Sequence, residues 1–293
     1  MPMPTIGVVG TIGGWSSETL ADTVAEVTGR RILIDLKRIR LDLETGRAMH
    51  NGIDLSALDA LIIKKVGARY SADLLDRLEI LRFLNERGLP MFSAPLPIMR
   101  VLDRLSCTVT LRLGGIPMPE TTITEDPEAA LSAVEAYGEA VFKPLYTSKA
   151  RGMEVISAGP EARDRIAAYA QNNSILYIQK KIPLPERDLG IVFLGGEYLT
   201  TYARRKNGDS WNTTTRSGGK YLSAEPAPST IELARKAQAL FDLHFTCVDV
   251  AETPDGPLVF EVSAFGGFRG ITSTSGIDPA RRLVDYVIDR ITP

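Results

Sequence analysis

The chain has 293 residues, of which 44% are hydrophobic and 24% charged, and its net charge is −2. This composition is typical of a globular protein large enough for two or three subdomains, and it excludes a general attraction to nucleic acid or anionic lipid. Two cysteines, two histidines and no apolar run of membrane-spanning length argue against a disulfide framework, a histidine-rich metal site and a membrane anchor. Because the N-terminus lacks the features of a signal peptide, we expect a cytoplasmic protein.

Short apolar strands alternate with amphipathic helices in the first third of the chain. Residues 5–9, 31–36 and 60–66 have the composition of strands, and helical spacing of apolar residues predicts helices over about 16–27 and between 71 and 88. Strands that alternate with helices are typical of a parallel sheet. The sequence therefore predicts a small Rossmann-like α/β domain over residues 1–97.

The remaining sequence predicts two α+β units, over residues 98–182 and 183–293. The first has one helix over 98–114, strands over 120–124, 140–144, 152–157 and 175–182, and helices over 127–137 and 161–171. The second has strands over 189–194 and 198–204, joined by Gly195-Gly196, a signal for a type I′ turn. An irregular stretch over 206–219, a helix over 230–243, a hairpin and a last helix over 279–291 follow.

Two carboxylates in the last hairpin, Asp249 and Glu261, are the most informative pair in the sequence. A turn over 253–257 centred on Asp255 sets them directly opposite each other. Period-two alternation then predicts one face with Cys247, Asp249, Glu261 and Ser263, and a core face with Val248, Val250, Leu258, Phe260 and Val262. Facing anions repel unless a cation neutralises them, and Mg²⁺ shared with phosphate groups fits hard oxygen ligands best. The alternative is a solvated face that carries two acids.

Basic and hydroxylic residues upstream fit a phosphate ligand. Lys143 lies in the predicted strand over 140–144, and the loop that follows the strand, which carries Ser148 and Arg151, is suited to a polyphosphate or is an ordinary surface loop. The predicted strand over 175–182 is an amphipathic edge strand or one that offers its backbone to a purine. Arg204, Arg205 and Arg216 are either solvated charges or groups that neutralise a phosphate or a carboxylate.

The order of these motifs resembles that of the ATP-grasp superfamily. The series runs from Asp103-Arg-Leu through Val141-Phe-Lys-Pro-Leu, Tyr177-Ile-Gln, Arg187-Asp188, Arg204-Arg205 and Arg216-Ser-Gly-Gly to Val248-Asp249 and Phe260-Glu-Val-Ser263. Within the superfamily it is most similar to the group that includes the ribosomal-protein S6 glutamate ligase and the lysine-biosynthesis ligase. It also resembles the ATP-grasp member of the bacterial GAK gene system. The resemblance implies three subdomains, with a pre-ATP-grasp unit and two lobes that hold ATP between them.

The resemblance also implies residue roles. Lys143 would contact the α- and β-phosphates, Arg104 would stand where relatives carry a phosphate-binding lysine, and Asp188 would lie near the ribose. Lys65 would lie near the acceptor substrate, and Asp249, Glu261 and Ser263 would hold one or two Mg²⁺ ions, with Mn²⁺ as an alternative. The adenine hinge would be Gln179, Lys180, Lys181 and Ile182, further nucleotide contacts would come from Ser148, Arg151 and Arg204, and catalytic arginines would be Arg205 and Arg216.

These roles predict an ATP-dependent carboxylate–amine ligase that works through an acyl phosphate, with a glutamate-like amino acid as one substrate. The other substrate would be a small or peptide-like molecule, and a homo-oligomer is compatible with the sequence. Ser263 replaces the usual asparagine, and Thr214–Gly219 departs from the usual segment, which leaves the acceptor substrate open. Two alternatives remain: a kinase-like ATP-grasp phosphotransferase and a protein that binds ATP without turning it over.

Overall fold

The structure, a computed structural model, describes residues 3–184, 186–208 and 210–292, except for the side chain of Arg216. Helices and sheets of both parallel and antiparallel type make up this part of the chain. None of its helices combines the length and apolar character needed to cross a lipid bilayer.

The N-terminal unit is built on a parallel sheet with the strand order β2–β1–β6–β7. Every residue of its central strands is buried, as is expected where both faces of a sheet are covered. This confirms the predicted parallel α/β architecture. The strands are β1 (Ile6–Val9), β2 (Leu33–Ile34), β6 (Ala60–Ile63) and β7 (Met91–Phe92), and the helices are α1 (Trp15–Thr28) and α2 (Asp73–Glu86).

A small antiparallel sheet between β2 and β6 was not predicted. It pairs β3 (Arg40–Asp42) with β4 (Arg47–His50), and β4 with β5 (Ile53–Asp54). The strands are two to four residues long and carry charged side chains, so they lack the apolar alternation by which longer strands are recognised.

The predicted helix over 98–114 is in fact two helices, α3 (Pro95–Leu102) and α4 (Arg104–Leu113). Asp103 separates them, because its carboxylate accepts hydrogen bonds from the backbone N–H groups of Leu105 and Ser106, at 2.9 and 3.4 Å. This N-cap starts a new helix axis at Arg104. The break makes Arg104 the first residue of α4, where it lines the cavity between the middle sheet and the C-terminal sheet.

The middle unit has an antiparallel sheet with the order β10–β9–β11–β8 and a core of its own. Two helices supply the rest of that core, which includes Val134, Phe142, Ile166 and Ile178. The strands are β8 (Thr121–Thr124), β9 (Glu139–Phe142), β10 (Glu154–Ser157) and β11 (Leu176–Lys180), and the helices are α5 (Pro127–Tyr137) and α6 (Ala162–Ala170).

The C-terminal unit has an antiparallel sheet with the order β14–β13–β12–β15–β16. Both glycines of the predicted type I′ turn have positive φ, 60° at Gly195 and 83° at Gly196, as this turn requires. The strands are β12 (Arg187–Leu194), β13 (Glu197–Arg205), β14 (Lys220–Ser223), β15 (Phe245–Thr253) and β16 (Gly256–Ser263), and the helices are α7 (Pro228–Ala239), α8 (Phe268–Thr274) and α9 (Pro279–Ile291).

One hydrophobic cluster joins the N-terminal and C-terminal units. It contains Leu61 and Ile63 of β6, Cys107 of α4, and Val248 and Val262 of the last hairpin, all buried. The middle sheet lies outside this cluster. Its separate core leaves a cleft between the middle sheet and the C-terminal sheet.

Candidate functional site

The cleft contains a cavity of about 360 Å³. The ends of β9 and β11 form one wall, the hairpin of β15 and β16 forms the other, and α4 closes one end. Most of the predicted site residues line it, although they are far apart in the sequence: Lys65, Arg104, Lys143, Ser148, Gln179, Lys180, Lys181, Ile182, Asp188, Arg204, Asp249, Glu261 and Ser263.

Asp249 and Glu261 are cross-strand partners, as the alternation predicted. The centre of the turn lies half a residue earlier than predicted, between Pro254 and Asp255. Thr253 pairs with Gly256, so only these two residues form the turn. A β-bulge between Asp249 and Val250 restores the register of the two acids.

The bulge changes which side chains of β16 reach the core. Val259 pairs with Val250 and is fully buried. Phe260 and Leu258, which were assigned to the core face, are only half-buried, and Phe260 lines the cavity. That part of the predicted core face is therefore wrong.

Arginines neutralise both acids. Arg204 donates from Nη2 to Asp188 Oδ2 at 2.6 Å and lies 2.9 Å from Asp249 Oδ2, and Arg104 Nη1 lies 3.6 Å from Glu261 Oε2. Burial raises the pKa of Asp249 to about 7, and the charges of Glu261 and Asp188 add to the rise while Arg204 opposes it. A further cation bound between Asp249 and Glu261 would relieve their mutual repulsion and favour the charged form of Asp249.

The donor set fits Mg²⁺. Ser263 pairs with Cys247, two residues along β16 from Glu261, and could supply a hydroxyl oxygen in addition to the two carboxylates. Among the described residues, no group of three or more His, Cys, Asp or Glu side chains lies close enough together to hold a metal ion. A metal here would depend on the two acids, the serine and phosphate oxygens of a nucleotide, which is how Mg²⁺ usually binds.

Lys143 faces these acids from the end of β9. Its Nζ donates to Oε1 of Gln179 at 2.5 Å and lies 5.3 Å from the centre of the Phe260 ring. Burial lowers its pKa to about 7, with a further contribution from Arg104, while Glu261 acts in the opposite direction. A buried ammonium held by a neutral amide is ready to receive an anion such as a phosphate.

The predicted hinge segment lines the cavity, but its side chains are engaged elsewhere. Gln179 is 1% exposed, and its amide nitrogen donates to Thr121 Oγ1 at 3.1 Å and Tyr177 OH at 3.3 Å. Lys180 and Lys181 form ion pairs with Glu120 and Glu139. Gln179 therefore orients Lys143 through a hydrogen bond. The sequence-based prediction for this strand did not include that contact.

Arg104 also holds the loop after β9. It donates from Nε to the carbonyl oxygen of Pro144 at 3.1 Å and from Nη2 to that of Thr147 at 3.2 Å. Ser148 of this loop lines the cavity, whereas Arg151 lies outside the lining, so the prediction that Arg151 faces the nucleotide finds no support in the geometry.

Arg204 and Arg205 point to opposite faces of β13. Arg204 lines the cavity, whereas Arg205 is exposed and lines a separate surface hollow with Lys206 and Lys220. Successive residues of a strand alternate in this way, so the predicted catalytic role of Arg205 has no support in the geometry. The backbone of Arg216 lies in a turn over Thr215–Ser217, and its side chain lies outside the described part of the chain.

The far end of the cavity is aromatic and basic. Lys65 Nζ lies 4.9 Å from the centre of the Phe265 ring, and burial together with Lys149 lowers the pKa of Lys65 to about 8. Six aromatic residues that no sequence pattern had singled out also line the cavity, three of them in loops and three in strands: Tyr70, Trp211 and Phe265, and Tyr202, Tyr221 and Phe260.

Solved structures of ATP-grasp ligases share this fold. The ligase PsnB in complex with a phosphomimetic precursor variant, Mg and ADP matches 99% of this chain and 100% of its own, with a TM-score of 0.76 and 18% identity. The D-cycloserine synthetase DcsG matches 98% of this chain and 99% of its own, with a TM-score of 0.74 and 17% identity. These matches confirm the predicted fold class.

Sequence relatives point to the same group. A tetrahydromethanopterin:α-L-glutamate ligase of Methanosarcina acetivorans is 28% identical over 261 residues, which cover 80% of this chain and 81% of that protein. A probable α-L-glutamate ligase of Citrobacter koseri is 26% identical over 250 residues, with 83% and 81% coverage. Residues 101–287 match the RimK-like ATP-grasp domain. The chain belongs to the RimK-like ATP-grasp family.

Proposed function

We propose that the protein is an ATP-dependent ligase that joins a carboxylate to an amine through an acyl phosphate. The observation that carries this proposal is the convergence of two paired acids, Asp249 and Glu261, with Lys143, Arg104 and Arg204 on one cavity. Acids that hold a metal and cations that hold phosphates are the two components that phosphoryl transfer requires.

The relatives support the reaction class and one substrate. Both of the sequence relatives described above are named as ligases of α-L-glutamate. We infer that an amino acid such as glutamate is one substrate. The other is a small or peptide-like molecule, a range that includes the precursor peptides named with PsnB.

Lys143 and Arg104 would hold the phosphate chain of ATP. Lys143 carries its charge in a buried position, where an electrostatic contact is stronger than at the surface. Arg104 reaches both the loop over Pro144–Thr147 and Glu261, so it would hold that loop against the nucleotide. Asp249, Glu261 and Ser263 would hold Mg²⁺, which neutralises charge on the phosphates when bound.

The reaction would proceed in two steps, phosphorylation of the carboxylate and then attack of the amine. A carboxylate oxygen of one substrate attacks the γ-phosphorus of ATP, and the bond to the bridging oxygen breaks to release ADP. The amine of the second substrate then attacks the acyl carbon, inorganic phosphate leaves with the electron pair of the C–O bond, and the amine loses a proton to form the amide. Arg204 would stabilise the negative charge that develops on oxygen.

Lys65 would bind a substrate carboxylate at the far end of the cavity. It forms no ion pair with the acids of the described residues, and the Phe265 ring covers one side of its ammonium. A partly buried cation of this kind holds an anion more tightly than an exposed lysine does.

The test is ADP release by the purified chain with Mg-ATP and L-glutamate, with and without pooled amines, carboxylic acids and peptides. Hydroxylamine is added in a parallel reaction. A ligase yields a hydroxamate, since hydroxylamine captures the acyl phosphate. A kinase that makes a phosphate monoester yields ADP without hydroxamate, and a protein that only binds ATP yields neither, so either result would contradict the proposal.

A further inference from the structure

Lys64 is a fully buried cation that the proposed chemistry does not use. It follows the end of β6 directly, and its side chain is 2% exposed. No acid among the described residues lies within ion-pair distance of its amine. Burial lowers its pKa well below the ordinary value, and the charge of Lys65 adds to this.

Neutral groups of the C-terminal unit surround the ammonium. Nζ donates to the carbonyl oxygen of Phe265 at 2.8 Å and to that of Gly266 at 3.2 Å. It also lies 3.6 Å from the centre of the Phe268 ring and 5.6 Å from that of Phe245. Two carbonyls and two aromatic faces are the groups that stabilise a cation in the absence of an acid.

A methionine of similar length would fill the same space without the cost of burying a charge. The ammonium does what methionine cannot, because it binds two successive carbonyl oxygens and so fixes the path of the backbone. That backbone is the segment that leaves β16 immediately after Glu261 and Ser263.

The segment that follows β16 is also closely packed against aromatic side chains. A Cβ atom at Gly266 would lie 2.2 Å from the Phe245 ring, and one at Gly267 would lie 2.2 Å from the hydroxyl of Tyr202. On the cleft side, Lys65 lies over the Phe265 ring. Two consecutive lysines of the N-terminal unit therefore contact the segment, Lys64 at its backbone and Lys65 at the Phe265 side chain.

We propose that Lys64 is a positioning residue, which sets the end of β16 through the carbonyl groups of Phe265 and Gly266 and so aligns Glu261 and Ser263 for a metal–nucleotide complex. The inference rests on the proposed function, because it assigns Mg²⁺ to these two oxygen ligands. It places part of the metal site under the control of the N-terminal unit.

The experiment measures ADP affinity by calorimetry, with and without Mg²⁺, for wild type and Lys64→Met. The ratio of ADP affinity with Mg²⁺ to ADP affinity without it should be at least tenfold smaller in the variant than in wild type. The metal-free ADP affinity of the variant should stay within twofold of wild type. Lys236→Met, at an exposed position on α7, is the matched control and should change neither value. Hydrogen exchange should accelerate in the variant over residues 264–268 and remain unchanged in the middle sheet.

An undiminished Mg²⁺ gain in Lys64→Met would overturn the inference, and so would an equal loss of metal-free and metal-dependent affinity, which indicates a general structural role. If the methionine variant does not fold, Lys64→Gln, whose shorter side chain carries an uncharged NH₂ donor group, is judged by the same two values. A wild-type protein that shows no Mg²⁺ gain at all would count against the proposed function itself.

Discussion

Lys143 Nζ and Gln179 Oε1 form a hydrogen bond between two buried side chains, and the acceptor is a neutral amide. Gln179 therefore orients the ammonium without stabilising its charge as a carboxylate would. The charge of Lys143 is left available for an anionic ligand, and its pKa of about 7 makes that charge sensitive to pH.

Nucleotide affinity should accordingly fall as the pH rises above 7. Lys143 is charged below its pKa of about 7, and bound phosphates favour the charged form. Metal-free ADP affinity should thus decrease by up to about tenfold per pH unit above 7. Calorimetry at pH 7.0, 7.5 and 8.0 measures it, and Gln179→Glu should move the decrease to higher pH. Equal pH slopes in wild type and Lys143→Met would contradict this role of Lys143.

Glu261→Gln should abolish turnover while the fold is retained. The substitution removes one of two facing charges and one proposed metal ligand, which should cost on the order of 10³-fold in the rate of ADP release. The melting temperature should stay close to that of wild type, because this side chain is 46% exposed. Glu197→Gln, at an exposed position of β13, is the control and should be fully active. Normal turnover in Glu261→Gln would exclude the proposed metal site.

Arg204→Ala and Arg205→Ala form a matched pair of adjacent substitutions on one strand. Loss of Arg204 leaves Asp188 and Asp249 without their cationic partner, so about 3 kcal/mol of unfolding free energy and on the order of 10²-fold of activity should be lost. Loss of Arg205 should change stability by less than about 0.5 kcal/mol. Urea unfolding and ADP release measure both. A larger loss of activity in Arg205→Ala than in Arg204→Ala would contradict this assignment and favour the sequence-based prediction that Arg205 is catalytic.

His50 should make the protein less stable in mild acid. Its Nε2 accepts a hydrogen bond from the backbone N–H of Asp35 at 3.2 Å, which requires the neutral ring, and burial lowers its pKa. The unfolded chain therefore takes up the proton first, and the stabilisation is complete above the unfolded pKa of about 6.5 and declines as the pH falls through the lower folded value. The difference in unfolding free energy between wild type and His50→Gln should shrink between pH 7.5 and 5.5. A difference that does not vary with pH would show that His50 does not titrate in this way.

The acid pair was predictable because its evidence is local. A turn signal and period-two alternation within one hairpin suffice to set Asp249 opposite Glu261. The bulge beside Asp249 was not predictable, because the turn contains one residue fewer than the pattern suggests and no local signal marks Val259 as the residue that is buried opposite Val250. For the same reason Phe260 was assigned to the wrong face.

The contacts of single polar side chains depend on distant parts of the chain. Lys64 and Lys65 are adjacent and chemically equal in the sequence, yet one is enclosed by residues about 200 positions away and the other faces the cleft. Arg204 and Arg205 are separated by the alternation of a strand whose exact end no local pattern marks. The family resemblance supplied roles for Lys65, Arg204 and Arg205 but not for Lys64, and the burial and hydrogen bonds of all four side chains could be read only from the fold.

The separate core of the middle sheet has a consequence for how ligands enter. The N-terminal and C-terminal units share one apolar interior, so they cannot move apart without exposing it to water. The unit over β8–β11 has its own interior, so we expect that it can move relative to the other two units at a smaller cost, which includes the buried hydrogen bond between Thr108 and Tyr177. Nucleotide would then enter and leave by the opening and closing of this unit, while the acids of the C-terminal sheet stay in place.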